Sequence, residues 1–440
     1  MNINSLTFLY FFVPAALLVF NLAPQKLKSA VLAVISGAFI LLSKPEDFIF
    51  LSADIIILYI LSEILSRNSE NPKKKKFVFL SALFINIGAI LFYSVQSQLS
   101  GGFSPFVLMV VSFTAIGYFV DLYKDEAKAI HSPADFIVFL AFFGKLTRGP
   151  LFRAKDFHPV SESRFSLSET GTGLYLFIRG LAKYVVLATP LAQLHEELFA
   201  ANSEEISVFG AWLDMVVFSM MIFFDLSGFC DMARGLGRCF GMDLPKNFYF
   251  PFQSPSVSDF LDRFNMTVTA FFRHYVYDVL RNDKNSRPQF IVNTILISML
   301  CGIWFGIKMN FIFWGLYIAA FIILEEFFLK KILQNIPHFF ARVYTFAVTM
   351  FSMVIFSSSD LGSIITSYKA MFGIGAAVVT DSITYIVSQN ILLLFGGAFF
   401  LISAFSMFIR YLSKKNPTAF SAFAVLESAV LLVIITAELL

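Results

Sequence analysis

Apolar residues run along this chain in long blocks instead of alternating with polar ones. The blocks lie near 5–23, 28–43, 49–65, 77–94, 104–121, 171–191, 207–226, 289–307, 310–328, 340–357, 388–409 and 419–438. A helix rises about 1.5 Å per residue, so roughly 20 such residues cross about 30 Å of hydrocarbon. The pattern predicts an all-α polytopic membrane protein with about 11–12 transmembrane helices. We expect one transmembrane domain over 1–440, with N-terminal helices over 1–130, a core over 131–330 and C-terminal helices over 331–440. The first block has no basic leader and no small-residue cleavage site before the next block, so it is expected to stay as a helix.

Two regions break the pattern. Within 133–160 the apolar stretch Phe136 to Phe143 is too short to span, and it runs into Gly144-Lys-Leu-Thr-Arg-Gly-Pro150. A basic, Gly/Pro-rich segment of this kind is expected to be re-entrant and sheltered by protein, not lipid. Residues 228–288 carry Asp231, Arg234, Arg238, Asp243, Lys246, Asp259, Asp262, Arg263, Arg273, Asp278 and Arg281 among aromatic residues. This is the most polar long stretch in the chain, and chemistry is expected there.

Composition strengthens the membrane reading. Of 440 residues, 58% are hydrophobic and 57 are Phe, while only 14% are charged, against about 25% in a soluble domain. That excludes a water-soluble enzyme, a secreted disulfide scaffold and a nucleic-acid binder. Lys26 and Lys28, then Arg67 with Lys73–Lys76, then Lys124 and Lys128 follow the first, third and fifth blocks. Basic loops stay on the cytoplasmic side, so the N-terminus is expected to face outward, and His195 lies in an outward loop. The Lys73–Lys76 run is read as a topology anchor, with anionic-lipid contact as the lesser role.

Ionisable groups at membrane depth are costly unless paired or hydrated. Arg179 and Lys183 share a face of the sixth span, and Asp225, Ser227 and Asp231 close the seventh. Both a buried ion pair and a hydrated channel wall fit that set. Glu325 and Glu326 are expected at the inner interface, facing Lys330 and Lys331. No nucleophile elbow, P-loop or zinc-helix motif occurs, Gly235-x-Gly237 follows no strand, and the five His residues have no ligand spacing. No metal site is expected. Cys230, Cys239 and Cys301 fit no disulfide framework.

The stretch Phe223-Phe-Asp-Leu-Ser-Gly-Phe-Cys-Asp-Met-Ala-Arg-Gly-Leu-Gly resembles the membrane-bound O-acyltransferases, in the bacterial branch that includes alginate O-acetylation and teichoic-acid D-alanyl transfer proteins. Further segments match in order: Ser5 to Pro14, Phe142 to Asp156, Gly180-Leu-Ala-Lys-Tyr-Val-Val, Asp259 to Tyr277, and Trp304-Phe-Gly with Asn310 to Tyr317. The resemblance covers about the first three-quarters of the chain. It implies a ring of helices around a thin partition, in the inner membrane, with acyl transfer from a cytoplasmic donor such as a coenzyme A thioester to an extracytoplasmic polymer. The implied partners are the bilayer and a periplasmic acyltransferase or acyl carrier protein, with no nucleic acid.

Carried over residue by residue, the resemblance puts Asn265 at the site-completing polar position; capping of the following helix is its other reading. The family's catalytic His belongs to Trp-His-Gly, which here reads Trp304-Phe305-Gly306, and the second His is Ile318. Phe takes no proton. His274 is the candidate substitute base. Arg148, Arg153, Lys155 and Arg273 are expected to hold the donor, and Asp225, Ser227 and Asp231 to shape the inner funnel. Three readings stay open: acyl transfer by a substituted base, a catalytically silent partner protein, and a transporter of a lipid-linked or anionic substrate.

Overall fold

In a computed structural model of the chain the described residues are all but 69, 101–104, 163–165, 278–285, 359 and 403. Among them helices dominate, and the β content is two isolated bridges, Ser207 with Ala377 and Phe248 with Phe264. Asp278 and Arg281 lie outside the described residues. Eight helices are long and apolar enough to cross a membrane, or nine if one bent pair counts as a span. Three shorter apolar helices, Phe8–Leu22, Val107–Tyr123 and Arg287–Ile303, coincide with other predicted blocks. The block predicted over 388–409 is not one span. It falls on two helices, Ile391–Leu401 and Ala404–Lys415, and the first of these is bent by 69° from the preceding helix Asp381–Gln389. Asn390 stands at the break, in neither helix.

The chain forms two compact units. The first holds Met1–Leu181, Phe229–Lys246 and Leu439–Leu440; the second holds Ala182–Gly228 and Asn247–Glu438.

In the first unit, α1 (Val13–Leu22), α2 (Lys28–Ser43), α3 (Pro45–Arg67), α4 (Pro72–Ser100) and α5 (Pro105–Tyr123) pack in sequence, and α6 (Pro133–Ala141) lies against α2. A Ser132 hydroxyl caps α6, and its nine residues are too few to span. Phe136, Phe139, Phe142, Phe143 and Leu146 are all buried, so the non-spanning segment is sheltered by protein. Phe143 packs on Phe8, Phe12, Phe39 and Phe240, which gives part of the Phe excess a packing role. α7 (Leu167–Ala182) crosses the end of α9 (Val208–Cys239) backbone to backbone. A Cβ on Gly173 would lie 2.6 Å from the Gly235 carbonyl, and one on Gly235 would lie 2.5 Å from the Gly173 carbonyl. That close approach is what Gly235 supplies, as small residues do between membrane helices.

In the second unit, α8 (Thr189–Glu204) precedes the first part of α9. Two short helices follow, α10 (Val257–Arg263) and α11 (Met266–Phe272). α12 (Arg287–Ile303) and α13 (Met309–Leu324) form a tight hairpin. Gly302 and Gly315 face each other's backbones: added Cβ atoms would lie 2.1 Å from the Phe311 carbonyl and 2.4 Å from the Ser298 carbonyl. The turn between them needs Gly306, whose φ is +142°. The chain continues through α14 (Lys330–Asn335), α15 (His338–Ser357), α16 (Leu361–Met371), α17 (Asp381–Gln389), α18 (Ile391–Leu401), α19 (Ala404–Lys415) and α20 (Pro417–Leu439).

Candidate functional site

α11 and α12 are packed neighbours. Thr269 on α11 lies beside Cys301 on α12. One turn onward Arg273 shares a cavity wall with Ile297, one turn back on α12. The helices are therefore antiparallel.

Asn265 has left-handed backbone angles, φ 56° and ψ 49°, which Asn tolerates better than most residues. It is 7% exposed, and its Oδ1 accepts from Asn247 Nδ2 at 2.7 Å. It stands at the N-cap position of α11 but its side chain makes no cap bond. Asn247 does the capping: its Oδ1 accepts from the Thr267 N–H at 2.9 Å and the Thr267 hydroxyl at 2.8 Å. The capping expected of Asn265 thus belongs to Asn247, 18 residues earlier, which no local spacing reveals.

Trp304 is buried at the C-terminal end of α12, and Phe305 is half-buried in the turn. The Phe305 ring packs on Phe356 at 5.0 Å and on Trp314 and Phe311 at 6.1 Å each. Trp314 Nε1 donates to Ser352 Oγ at 3.2 Å. Ile318, at the second His position, is fully buried. Both positions are apolar in surroundings as well as in sequence.

A cavity of about 640 Å³ lies along α12 and α13, on the Arg273 side of the Thr269–Cys301 contact. Its walls include Ser256, Leu261, Arg273, Thr294, Ser298, Glu325, Lys330 and His338. Ser298 Oγ is buried with no hydrogen-bond partner among the described residues. Each long cation is matched by an acid, Arg273 by Asp262 at 2.7 Å and Lys330 by Glu326 at 2.8 Å. The described walls include neither Asn265 nor Phe305.

Glu325 departs from expectation. Only Glu326 makes the interfacial pair with Lys330. Glu325 is 5% exposed, and its two oxygens accept from the N–H groups of Val257 at 2.7 Å and Ser258 at 3.2 Å. Those are unpaired first-turn donors of α10, where a carboxylate also meets the positive end of the helix dipole. The partners are 68 and 67 residues apart, beyond any motif.

The other predicted residues are placed as follows. His274 is half-buried on the turn Arg273–Tyr277, its ring 4.8 Å from that of Tyr275, and it is not among the described cavity walls. Asp225 is half-buried on α9, and Ser227 is buried with its Oγ unpartnered among the described residues. In the first unit Arg148 lies over the Phe229 ring at 5.0 Å, and its carbonyl accepts from the Cys230 thiol. Arg153 is bound to Asp121 at 2.9 Å and Glu126 at 3.3 Å. Lys155 is exposed on the short turn Ala154–Asp156. Asp231 lies 3.3 Å from Arg234. Arg153 and Arg273 are thus engaged by carboxylates.

A family model described as MBOAT, membrane-bound O-acyltransferase family, matches residues 70–361. A probable alginate O-acetylase AlgI of Pseudomonas aeruginosa is 26% identical over 397 residues, covering 85% of this chain and 75% of that protein. A peptidoglycan O-acetyltransferase of Helicobacter pylori is 28% identical over 247 residues, covering 54% of this chain and 47% of that protein. A teichoic acid D-alanyltransferase of Bacillus subtilis is 28% identical over 243 residues, covering 50% and 60% respectively.

Proposed function

Because the chain belongs to the membrane-bound O-acyltransferase family, we propose that it transfers an acyl group, acetyl in the simplest case, from a cytoplasmic thioester to an extracytoplasmic envelope polymer. The observation that carries this reading is the 640 Å³ cavity against α12 and α13, the hairpin that bears Trp304-Phe305-Gly306. Its walls are mostly apolar, with a few polar side chains and balanced charges among them. Such a lining suits an amide- and hydroxyl-bearing thioester arm of the coenzyme A kind better than a bare anion. In this reading Arg273 and Ser298 border the donor. The protein lies in the inner membrane, and its basic loops set the N-terminus outside.

A second reading has its own observation. Phe305 is held by three aromatic neighbours and offers no base, which suits a catalytically silent partner protein. One assay separates the two. Purified protein in detergent receives radiolabelled acetyl-CoA and an oligosaccharide acceptor. Transfer by the wild type supports the enzyme, whether or not Phe305→His raises it. Transfer only in Phe305→His supports the silent partner. No transfer by either overturns the acyl-transfer reading.

A further inference from the structure

Acyl transfer to a hydroxyl needs a proton acceptor, and a run of ring contacts leads from Phe305 to one. Phe305 packs on Phe356 at 5.0 Å, Phe356 on Phe218 at 6.2 Å, and Phe218 on the imidazole of His195 at 4.9 Å. His195 is on α8, and its Nδ1 lies 2.6 Å from Asp214 Oδ1 on α9. The Asp214 side chain is 7% exposed and that of His195 is 20% exposed. A buried carboxylate this close accepts a hydrogen bond from Nδ1–H and fixes the tautomer, which leaves the Nε2 lone pair available. Nε2 has no hydrogen-bond partner among the described residues.

The pair is poorly explained as a staple. α8 is already seated by Leu191, Leu194 and Leu198, each no more than 1% exposed. Asp214 is buried, and a buried carboxylate is costly where three leucines already supply the packing. A carboxylate that holds one nitrogen of an imidazole while the other stays open is the arrangement a general base requires.

We infer that His195, oriented by Asp214, is the general base of the acyl transfer in place of the missing His at 305; this rests on the acyltransferase reading. Nε2 takes the proton of the acceptor hydroxyl as its oxygen attacks the thioester carbonyl carbon. The C–O bond forms, the tetrahedral intermediate collapses, the C–S bond breaks, and the proton passes from Nε2 to the leaving thiolate. His195 ends neutral, as it began. His195 is the catalytic residue and Asp214 a positioning residue.

The test uses the full-length protein in detergent with radiolabelled acetyl-CoA and an oligosaccharide acceptor. His195→Asn keeps an amide donor toward Asp214 but offers no base; transfer is expected to fall about 10²-fold with the melting temperature unchanged. Asp214→Asn is expected to lower kcat at least about tenfold with KM unchanged, and Asp214→Glu to restore it. His195→Asn at the wild-type rate overturns the proposal and leaves the acyltransferase reading standing. A loss of transfer that tracks a lowered melting temperature in His195→Asn assigns the pair to structure and also overturns it. A wild type with no transfer overturns the functional reading itself, and the general base with it.

Discussion

Lys145 and Glu325 are both buried charges, and the protein holds them in opposite ways. Glu325 is set against two backbone N–H groups at a helix N-terminus, so its charge is met by fixed dipoles. Lys145 is 1% exposed and meets one carbonyl, that of Phe139, together with the Phe139 ring 5.4 Å away. No carboxylate pairs with it among the described residues. One site gives its carboxyl group two backbone donors from another helix; the other leaves an amine with a single carbonyl, and burial pushes that amine toward neutrality. A buried charge is thus no uniform sign of function, and its partners decide what it does.

The largest effect that sharpens this contrast lies in the pH dependence. Burial lowers the Lys145 ammonium from 10.5 to about 7, at a position outside the spanning helices. Below pH 7 both folded and unfolded chains carry the charge, and the native state bears its full cost. Between about 7 and 10.5 the unfolded chain binds a proton that the native chain does not, so stability rises with pH. The expected gain between pH 7 and 10 is up to about 4 kcal/mol, at about 1.4 kcal/mol per pH unit. Thermal unfolding in detergent across that range should show the rise in the wild type and a flat profile in Lys145→Met. A slope that persists in Lys145→Met would assign it to another group.

The second effect tests the other side. Glu325→Leu strands the N–H groups of Val257 and Ser258 and should cost about 3 kcal/mol. Glu325→Gln keeps one acceptor and should cost about half as much. Equal melting temperatures for the two variants would show that the carboxylate does not support α10.

These two residues also show what could be read from sequence. Blocks of apolar residues reveal spans because each block carries its own signal, and the short Phe136–Phe143 stretch stood out for the same reason. Trp304-Phe305-Gly306 was legible because register is local: Trp304 is buried and Gly306 holds φ +142°. What escaped is pairing across distance. Glu325 looked interfacial because Lys330 is one turn away, yet its partners are on α10. Capping was the other reading of Asn265 because it precedes a helix, yet Asn247 supplies the oxygen. His195 and Asp214, 19 residues apart, are joined only when α8 and α9 pack.

The smallest effect asks whether a helix end in the same unit can be held without charge. Asn247 does for α11 what Glu325 does for α10, using a neutral amide whose Oδ1 serves both the N–H and the hydroxyl of Thr267. Its Nδ2 also holds Asn265 Oδ1 at 2.7 Å, so the left-handed residue and the helix start are tied together. A neutral cap contributes about 1 kcal/mol, less than a buried charge-assisted one. Asn247→Ala should therefore lower stability by about 1 kcal/mol in the same unfolding measurement, a fraction of the loss in Glu325→Leu. Asn247→Asp keeps the acceptor for Thr267 but loses the donor to Asn265, so it separates the cap from the tether. If Asn247→Asp retains wild-type stability while Asn247→Ala does not, the cap is the part that matters. If both fall equally, the Asn247–Asn265 bond holds the start of α11, and the comparison with Glu325 fails at that helix.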